Sequence, residues 1–402
     1  MASPSQPSGE ATLSGATGTR IPYLDHHATT PIDERVREAM EPYLGAEFGN
    51  AASTTHAFGW RAEAAVDLAR ERLAELIGAE PREIVFTSGA TESNNLAILG
   101  LADAAAAPGH VVTVATEHPS VLDPCRALVG RGWEVTELPV DEEGRLGLDA
   151  LDAALRDDTR LVSVMAANNE IGILAPLGEI AERCHARGIV FHTDAAQAAG
   201  KIPLDAGAQG LDLVSVSGHK IYGPKGVGFL RVRRGGRPRV KLAPRQFGGG
   251  HEGGLRSGTL PVPMIVGLAR AFEVAEAGRE EETKRLADLR DGLWQALDAA
   301  LPGQVRWNGP REDRLAANLN VSFEGVDGDR LLADLGGLAV SSGSACSSAK
   351  PEPSHVLLAL GLDPASAKAS LRIGLGRGNS RADVDYAIER IVAAVRLQTE
   401  AR

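Results

Sequence analysis

Cysteine is scarce. Only Cys125, Cys184 and Cys346 occur in 402 residues, too few and too scattered for a disulfide framework, and no pair has zinc-knuckle spacing. A reducing compartment fits best, so the expected location is the cytoplasm. Long apolar runs are missing too, since none reaches the roughly 20 residues of a membrane span. The first 19 residues lack the basic start and apolar stretch of a secretory signal. With Arg20 as the only arginine there, no mitochondrial presequence is expected, and residues 1–20 read as a flexible tail. Positive charge is in deficit: 42 basic against 53 acidic residues leave a net charge of -11, which argues against a nucleic-acid or anionic-membrane binder. Compositional bias is absent, with 43% hydrophobic and 24% charged residues, which excludes collagen, disorder and coiled coil. A folded globular chain of two to three domains remains.

What is present is an alternation of short β-branched runs with Ala/Leu/Arg/Glu stretches of helical period, the pattern of an α/β fold with a mainly parallel sheet. Strands are expected at Ile84 to Phe86, Val111 to Val114, Leu161 to Met165, Ile189 to His192 and Leu213 to Val216. Each ends in polar residues: Ser88-Gly89-Ala90-Thr91, Glu117-His118, Asn168-Asn169-Glu170, Asp194 to Gln197, and Ser217 to Lys220. Ligands of open α/β sheets bind at the carboxyl ends of strands, so the five clusters are candidates for one site. From about Arg270 to Ala300 a charged amphipathic helix with Leu286, Leu289, Leu293 and Leu297 on one face reads as a connector. A smaller α+β unit follows, with a strand near Ala317 to Phe323, a helix from Asp329 to Leu335, a loop from Ser341 to Pro353 and a terminal helix from Arg381.

Only seven of the 42 basic residues are lysines, so Lys220 at a strand end stands out. Most loop lysines are solvated, but one at the end of a buried strand can form a Schiff base if desolvation lowers its pKa. Asp194 lies 26 residues earlier, about one strand-helix-strand unit, and a buried carboxylate there needs a cationic partner unless it is simply a helix cap. Lysine plus an aspartate-paired pyridine nitrogen is the arrangement that makes pyridoxal phosphate an electron sink. Ser88 to Ser93 follows a strand and opens a helix, aiming backbone N–H groups at an anion, with Thr91, Ser217 and His219 as side-chain donors. Rival motifs fail. Pro224 occupies the lysine position of the P-loop-like run from Gly218, Gly374-Leu-Gly376-Arg-Gly378 lacks dinucleotide spacing, no serine sits in a nucleophile elbow, and no histidines pair at helical metal spacing, so no metal is expected. Cys125 and Cys184 fall in helical patterns and read as buried and inert. Cys346, in a run of small residues and prolines, reads as an accessible thiol whose pKa neighbouring N–H groups or Lys350 could lower.

The strings YLDHHATTP, FGWRAEAAVDLAR, EIVFTSGATESNNLAI, TEHPSVLDPC, NNEIGI, HTDAAQAAGK, SGHKIYGPKGVG, GGGHEGGLRSGTLP, SSGSACSS and LRIGLGR together resemble cysteine desulfurases of the NifS/IscS kind, pyridoxal-phosphate enzymes of the class-V aminotransferase family. The resemblance runs from about Ile21 to Arg396. It implies a fold-type I transferase whose large domain, 34–275, holds a mainly parallel seven-stranded sheet. It also implies a segment at 21–33 packing with the small domain, and a small α+β domain at 276–402 carrying the cysteine loop. Lys220 would carry the cofactor, Asp194 would pair with its pyridine nitrogen, and His118 would stack on its ring and assist proton transfer. Asn169 and Gln197 would bond its phenolate side. Ala90, Thr91, Ser217 and His219 would hold the phosphate, joined by Thr259 from the second subunit of a homodimer. Arg372 would clamp the carboxylate of L-cysteine with Asn50 nearby, and Cys346 would accept the sulfur. The implied partner is a sulfur acceptor such as an iron–sulfur scaffold. A sister aminotransferase or lyase, or a desulfurase dedicated to tRNA or DNA thio-modification, is the alternative.

Overall fold

A computed structural model of the chain describes residues 21–342 and 352–400. Seven strands form one sheet in the order β1-β7-β6-β5-β4-β2-β3. They are β1 (Ile84–Thr87), β2 (His110–Val114), β3 (Glu134–Leu138), β4 (Thr159–Ser163), β5 (Val190–Asp194), β6 (Leu213–Ser217) and β7 (Gly228–Val232). Only β7 runs against its neighbours β1 and β6; the pairs β2/β3, β2/β4, β4/β5 and β5/β6 are parallel. The helices before and between these strands are α1 (Glu34–Leu44), α2 (Ala57–Leu76), α3 (Ala90–Ala104), α4 (Pro119–Val129), α5 (Leu148–Ala154) and α6 (Leu177–Ala186). The expected strands are therefore present, with β4 beginning and ending two residues before its expected bounds. Asn168 to Glu170 consequently follow a longer connection, in which Ala167 still bridges Leu174.

Alternation along the strands builds two cores, because successive side chains point to opposite faces. Val111, Leu161, Val190, Leu213 and Leu230 pack with α3 and α4 on one face, while Val112, Val162, Phe191, Val214 and Phe229 pack on the other with α2, α6 and the next helix. That helix, α7 (Val262–Ala300), is 39 residues long and starts eight residues before the expected one. Its first half, including Ile265, Leu268 and Phe272, belongs to the large-sheet core; Leu286, Leu293 and Leu297 belong to a separate one. The second core covers an antiparallel four-stranded sheet, β10-β11-β9-β8, made by β8 (Val305–Trp307), β9 (Asn318–Phe323), β10 (Ser341–Ser342) and β11 (Ser370–Gly374). The helices α8 (Gly328–Asp334), α9 (His355–Ala359), α10 (Pro364–Lys368) and α11 (Arg381–Thr399) complete this unit. Ser341 and Ser342, expected to open a loop, pair with Arg372 and Leu371. Cys346 and the tail 1–20 lie outside the described residues.

The middle strand β5 carries a buried imidazole. His192 lies between Ser163 Oγ on β4, 2.8 Å from Nδ1, and Ser215 Oγ on β6, 3.0 Å from Nε2. Burial lowers its pKa from 6.5 to about 4. The unfolded imidazole binds a proton near pH 6.5 and the folded one does not until about pH 4, so its contribution to stability is complete above 6.5 and is lost as pH falls through that window. Compared with His192→Asn in urea unfolding, the natural chain should lose about 3 kcal/mol more between pH 7 and pH 4. Equal pH slopes for the two proteins would show that His192 is not held neutral.

Candidate active site

Because β7 alone is reversed, the carboxyl ends of the other six strands share one edge of the sheet. At the end of β1 the chain turns through Gly89 into α3. Gly89 has φ +145°, a conformation that favours glycine. A Cβ on Gly228, opposite, would lie 2.2 Å from Val216 O and 2.7 Å from Gly89 Cα. The turn thus packs backbone against backbone, and the first-turn N–H groups of α3, at Ala90 and Thr91, open at the sheet edge. Ser217, the last residue of β6, is buried, and its Oγ would be 3.5 Å from a Cβ on Gly89. Glu92 secures the turn by accepting from Ser88 N at 2.7 Å and pairing with Arg256 at 2.8 Å. Arg256 in turn anchors the loop that presents Thr259, which is exposed.

Asp194 ends β5 at the centre of the sheet. Its Oδ1 accepts from Ala196 N at 2.9 Å and its Oδ2 from Asn94 Nδ2 at 2.7 Å. The same Asn94 amide donates to Ser120 Oγ at 2.9 Å, which lies 2.8 Å from His118 Nδ1. Ser120 N also donates to Nδ1, at 3.0 Å, so Nδ1 is an acceptor and the proton of the neutral ring sits on Nε2. Burial, the largest influence, lowers the His118 pKa below its ordinary value; Asp194 opposes the shift and Lys220 adds to it. Asn94 and Ser120 join this cluster through these hydrogen bonds without having stood out in the sequence. The available signal was the pair Asn94-Asn95 inside a helix, where neither helix propensity nor an apolar core favours asparagine; the side chain of Asn94 is fully buried and that of Asn95 caps Thr91 O.

Lys220 follows β6 in a single 3-10 turn. Its Nζ donates to two carbonyls of the N-terminal segment, His27 O at 2.6 Å and Ala28 O at 2.8 Å. Thr30 ties that segment to the turn, its N and Oγ1 both donating to His219 O and its Oγ1 accepting from Tyr222 N. His219, expected at a phosphate, has its Nδ1 3.1 Å from Thr29 Oγ1, and burial and three nearby lysines lower its pKa to about 4. Gln197 Nε2 donates to His27 O at 2.8 Å, while its Oε1 accepts from Lys201 Nζ at 2.8 Å.

Arg372 reaches the same region from β11 and is only 2% exposed. It donates to Asp25 Oδ1 at 2.8 Å and to Asn169 O at 3.3 Å, while its buried Nε has no hydrogen-bond partner among the described residues. Asp25, which also accepts from Ser341 Oγ at 2.8 Å, is another residue sequence reasoning missed. Asn50 is exposed, its Oδ1 accepting from Ala52 N within its own turn, and among the described residues no hydrogen bond joins it to the cluster. Glu170 is buried, accepts from Ser354 Oγ at the start of α9, and is pushed by burial up to about 7. Cys125 and Cys184 are buried, as expected, and burial pushes both thiols up to about 12. Neither is a nucleophile at neutral pH.

The donor set combines a lysine amine, a fixed carboxylate, a neutral imidazole and the start of a fifteen-residue helix on one edge. It suits a ligand carrying an anionic group, a carbonyl and a basic ring nitrogen. Among known proteins, the family model described as aminotransferase class-V matches residues 22–387. The chain is 53% identical over 370 residues to the cysteine desulfurase IscS of Edwardsiella ictaluri, covering 91% of each. It is 51% identical to the human cysteine desulfurase, covering 93% of this chain and 81% of the relative. A solved NifS-like protein superimposes with a TM-score of 0.86 at 36% identity, covering 93% of this chain and 99% of the other. The chain belongs to the class-V aminotransferase family, within its NifS/IscS-like cysteine desulfurases.

Proposed function

We propose that the chain is a pyridoxal-phosphate-dependent cysteine desulfurase that converts L-cysteine to L-alanine and leaves the sulfur as a persulfide on Cys346. The observation that carries the reading is the convergence of Lys220, Asp194, His118 and the α3 start on one sheet edge, in a family of this activity. The residues fit the cofactor: Gly89 and Gly228 leave a backbone-walled turn at the α3 N-terminus for its phosphate, and Asp194 is fixed on two sides to meet its ring nitrogen. Ala90, Thr91, Ser217 and His219 would hold the phosphate, with Thr259 of the partner subunit, and Asn169 and Gln197 the phenolate side. Bound there, pyridoxal phosphate supplies an electron sink for the pair left at the substrate Cα.

The chain's own groups do the rest. Arg372, held in orientation by Asp25, presents its guanidinium to the substrate carboxylate, with Asn50 as the second donor. Lys220 takes the Cα proton, and the Nε2–H of neutral His118 is placed to exchange protons over the ring face. The Cys346 thiolate attacks Sγ of the substrate; the Cβ–Sγ bond breaks, an S–S bond forms, Cβ gains a proton and alanine leaves. The sulfur then passes to an acceptor such as an iron–sulfur scaffold. We read the protein as a homodimer: Phe48 and Phe58, their ring centroids 5.3 Å apart, are 71% and 48% exposed, and large apolar side chains paired at a surface mark an interface. Among the described residues no helix is long and apolar enough to cross a membrane. We place the protein in the cytoplasm, where reducing conditions keep Cys346 a thiol.

Three variants test the assignment. Lys220→Ala should abolish alanine release while its circular dichroism and melting match the natural chain; borohydride-fixed cofactor on another lysine would remove Lys220 from its role. Cys346→Ser should retain cofactor and bind L-cysteine but release alanine only at background rate, and mass spectrometry after alkylation should find the extra sulfur on Cys346 in the natural enzyme. Undiminished alanine production by Cys346→Ser would end the reading. Asn94→Ala deprives Asp194 of a hydrogen bond to a charged group, a loss of about 1.5–3 kcal/mol, so cofactor retention on dialysis should weaken by about 10- to 100-fold. Retention equal to the natural chain's would mean that Asn94 does not position Asp194.

A further inference from the structure

Four hydrogen bonds of the site share one direction. Asp194 ends β5 as a carboxylate and can only accept, so Asn94 on α3 must turn its Nδ2 toward Oδ2, 2.7 Å away. The reverse orientation of this fully buried amide would set oxygen against carboxylate oxygen. The same Nδ2 donates to Ser120 Oγ on α4 at 2.9 Å. That hydroxyl has one proton of its own, and His118 Nδ1 lies 2.8 Å from it. Because Nδ1 accepts the N–H of Ser120 at 3.0 Å, it has no proton to give. The hydroxyl proton therefore points at Nδ1. Donors run from Asn94 through Ser120 to His118, and Asp194 sets their direction.

We propose that Ser120 is a positioning residue for His118: its hydroxyl, aligned by Asp194 through Asn94, holds the imidazole in the tautomer that carries its proton on Nε2. The inference deepens the reading of His118 as the group that exchanges protons over the cofactor ring, and rests on it. Helix capping alone does not account for the arrangement. His118 is the N-cap of α4, and the backbone N–H of Ser120 already satisfies that cap; the hydroxyl adds nothing to the helix end. A second donor on Nδ1 stabilises the unprotonated nitrogen, and the ring can gain a proton there only by giving up both bonds. The charged and titratable groups around the ring are Asp194 on β5, Lys220 after β6, His355 on α9 and Asp123 on α4. Burial is the largest influence and keeps His118 below its ordinary value; the two aspartates favour the protonated ring, while Lys220 and His355 oppose it. None of these charges chooses between the two nitrogens as a directed hydroxyl does. The carboxylate read as the partner of the cofactor's ring nitrogen thereby also selects the tautomer of the residue read as stacking on that ring.

Nitrogen-15 NMR of ring-labelled histidine in the holoenzyme, with His118 assigned by the signal lost in His118→Gln, tests this directly. Near neutral pH the natural chain should show His118 Nδ1 as an unprotonated nitrogen and Nε2 as a protonated one. Removing the hydroxyl in Ser120→Ala should raise the His118 titration midpoint by roughly half to one pH unit, the worth of one hydrogen bond. The acid limb of kcat/KM for alanine release should move up by the same amount. Ser120→Thr, which keeps the hydroxyl, should restore both. Ser120→Gly carries the same expectation as the alanine variant if the latter does not fold. A protonated Nδ1 in the natural chain, an unchanged midpoint in Ser120→Ala, or an equal shift in Ser120→Thr overturns the proposal. Activity of His118→Gln equal to the natural chain's would instead remove His118 from the reaction; that result does not enter the NMR measurement, so the reading and the proposal can fail separately.

Discussion

The stretch from Tyr23 to Asp33 has to satisfy hydrogen bonds on two sheets at once. Leu24 O and His26 N pair with Gly374 on the small sheet, and Leu24 N with Ala339 O. A few residues on, Thr30 N and Asp33 N bond to His219 O and Tyr222 O beside the large sheet. Between these two ladders lie the carbonyls of His27 and Ala28 that take the Lys220 ammonium, and the Asp25 carboxylate that takes the Arg372 guanidinium. Both cations come from different sheets, so the segment sets their separation as well as their partners. A buried arginine stripped of its carboxylate is costly, about 3–5 kcal/mol, and Arg372 is among the largest fully buried side chains of the chain. Gly374 shows how closely the segment lies: a Cβ there would sit 2.9 Å from His27 N.

This geometry gathers cations in the interior of a chain that is acidic overall. The protein carries -11 overall, yet Lys201, Lys220 and Arg372 point into one region, faced chiefly by Asp25, Asp194 and Glu282. The histidines there add nothing to the positive charge, because burial and the neighbouring cations keep His26, His27 and His219 neutral. Such an interior favours ligands that bring anionic groups, while the acidic exterior keeps the protein from nonspecific polyanions.

What could be read from the sequence was whatever leaves a local trace. β-branched runs ending in polar clusters marked five strands and, through their parallel order, one common edge, which is where Asp194, Ser217 and the Lys220 turn are found. The lysine shortage made Lys220 conspicuous, and the helical patterns around Cys125 and Cys184 told of burial. Positions defined by long-range pairing were not legible. Asp25 and Arg372 are 347 residues apart, Asn94 and Asp194 exactly one hundred by their numbering, and neither pair leaves a periodicity or a spacing to find. Lys201 was hidden for another reason: a lysine after Ala-Ala-Gly reads as a solvated turn residue, and only the packing of α7 and the N-terminal segment turns it inward. The start of α7 was missed because Val262 to Ala269 is apolar on several faces, being buried against the large sheet, and lacks the one-sided pattern seen further on.

That helix has a mechanical consequence. At 1.5 Å per residue, 39 residues extend about 58 Å, without a proline or other break between the part anchored under the large sheet and the part anchored under the small one. Its only prolines are Pro261, the cap, and Pro263 in the first turn. A protease would find no linker there to cut, and neither sheet could be released as an intact fragment without tearing half of α7 from its core. Any swing of the small sheet would have to bend a continuous rod, which is stiff, rather than turn on a loop. The distance between the two anchored sheets therefore behaves as a fixed dimension of the enzyme.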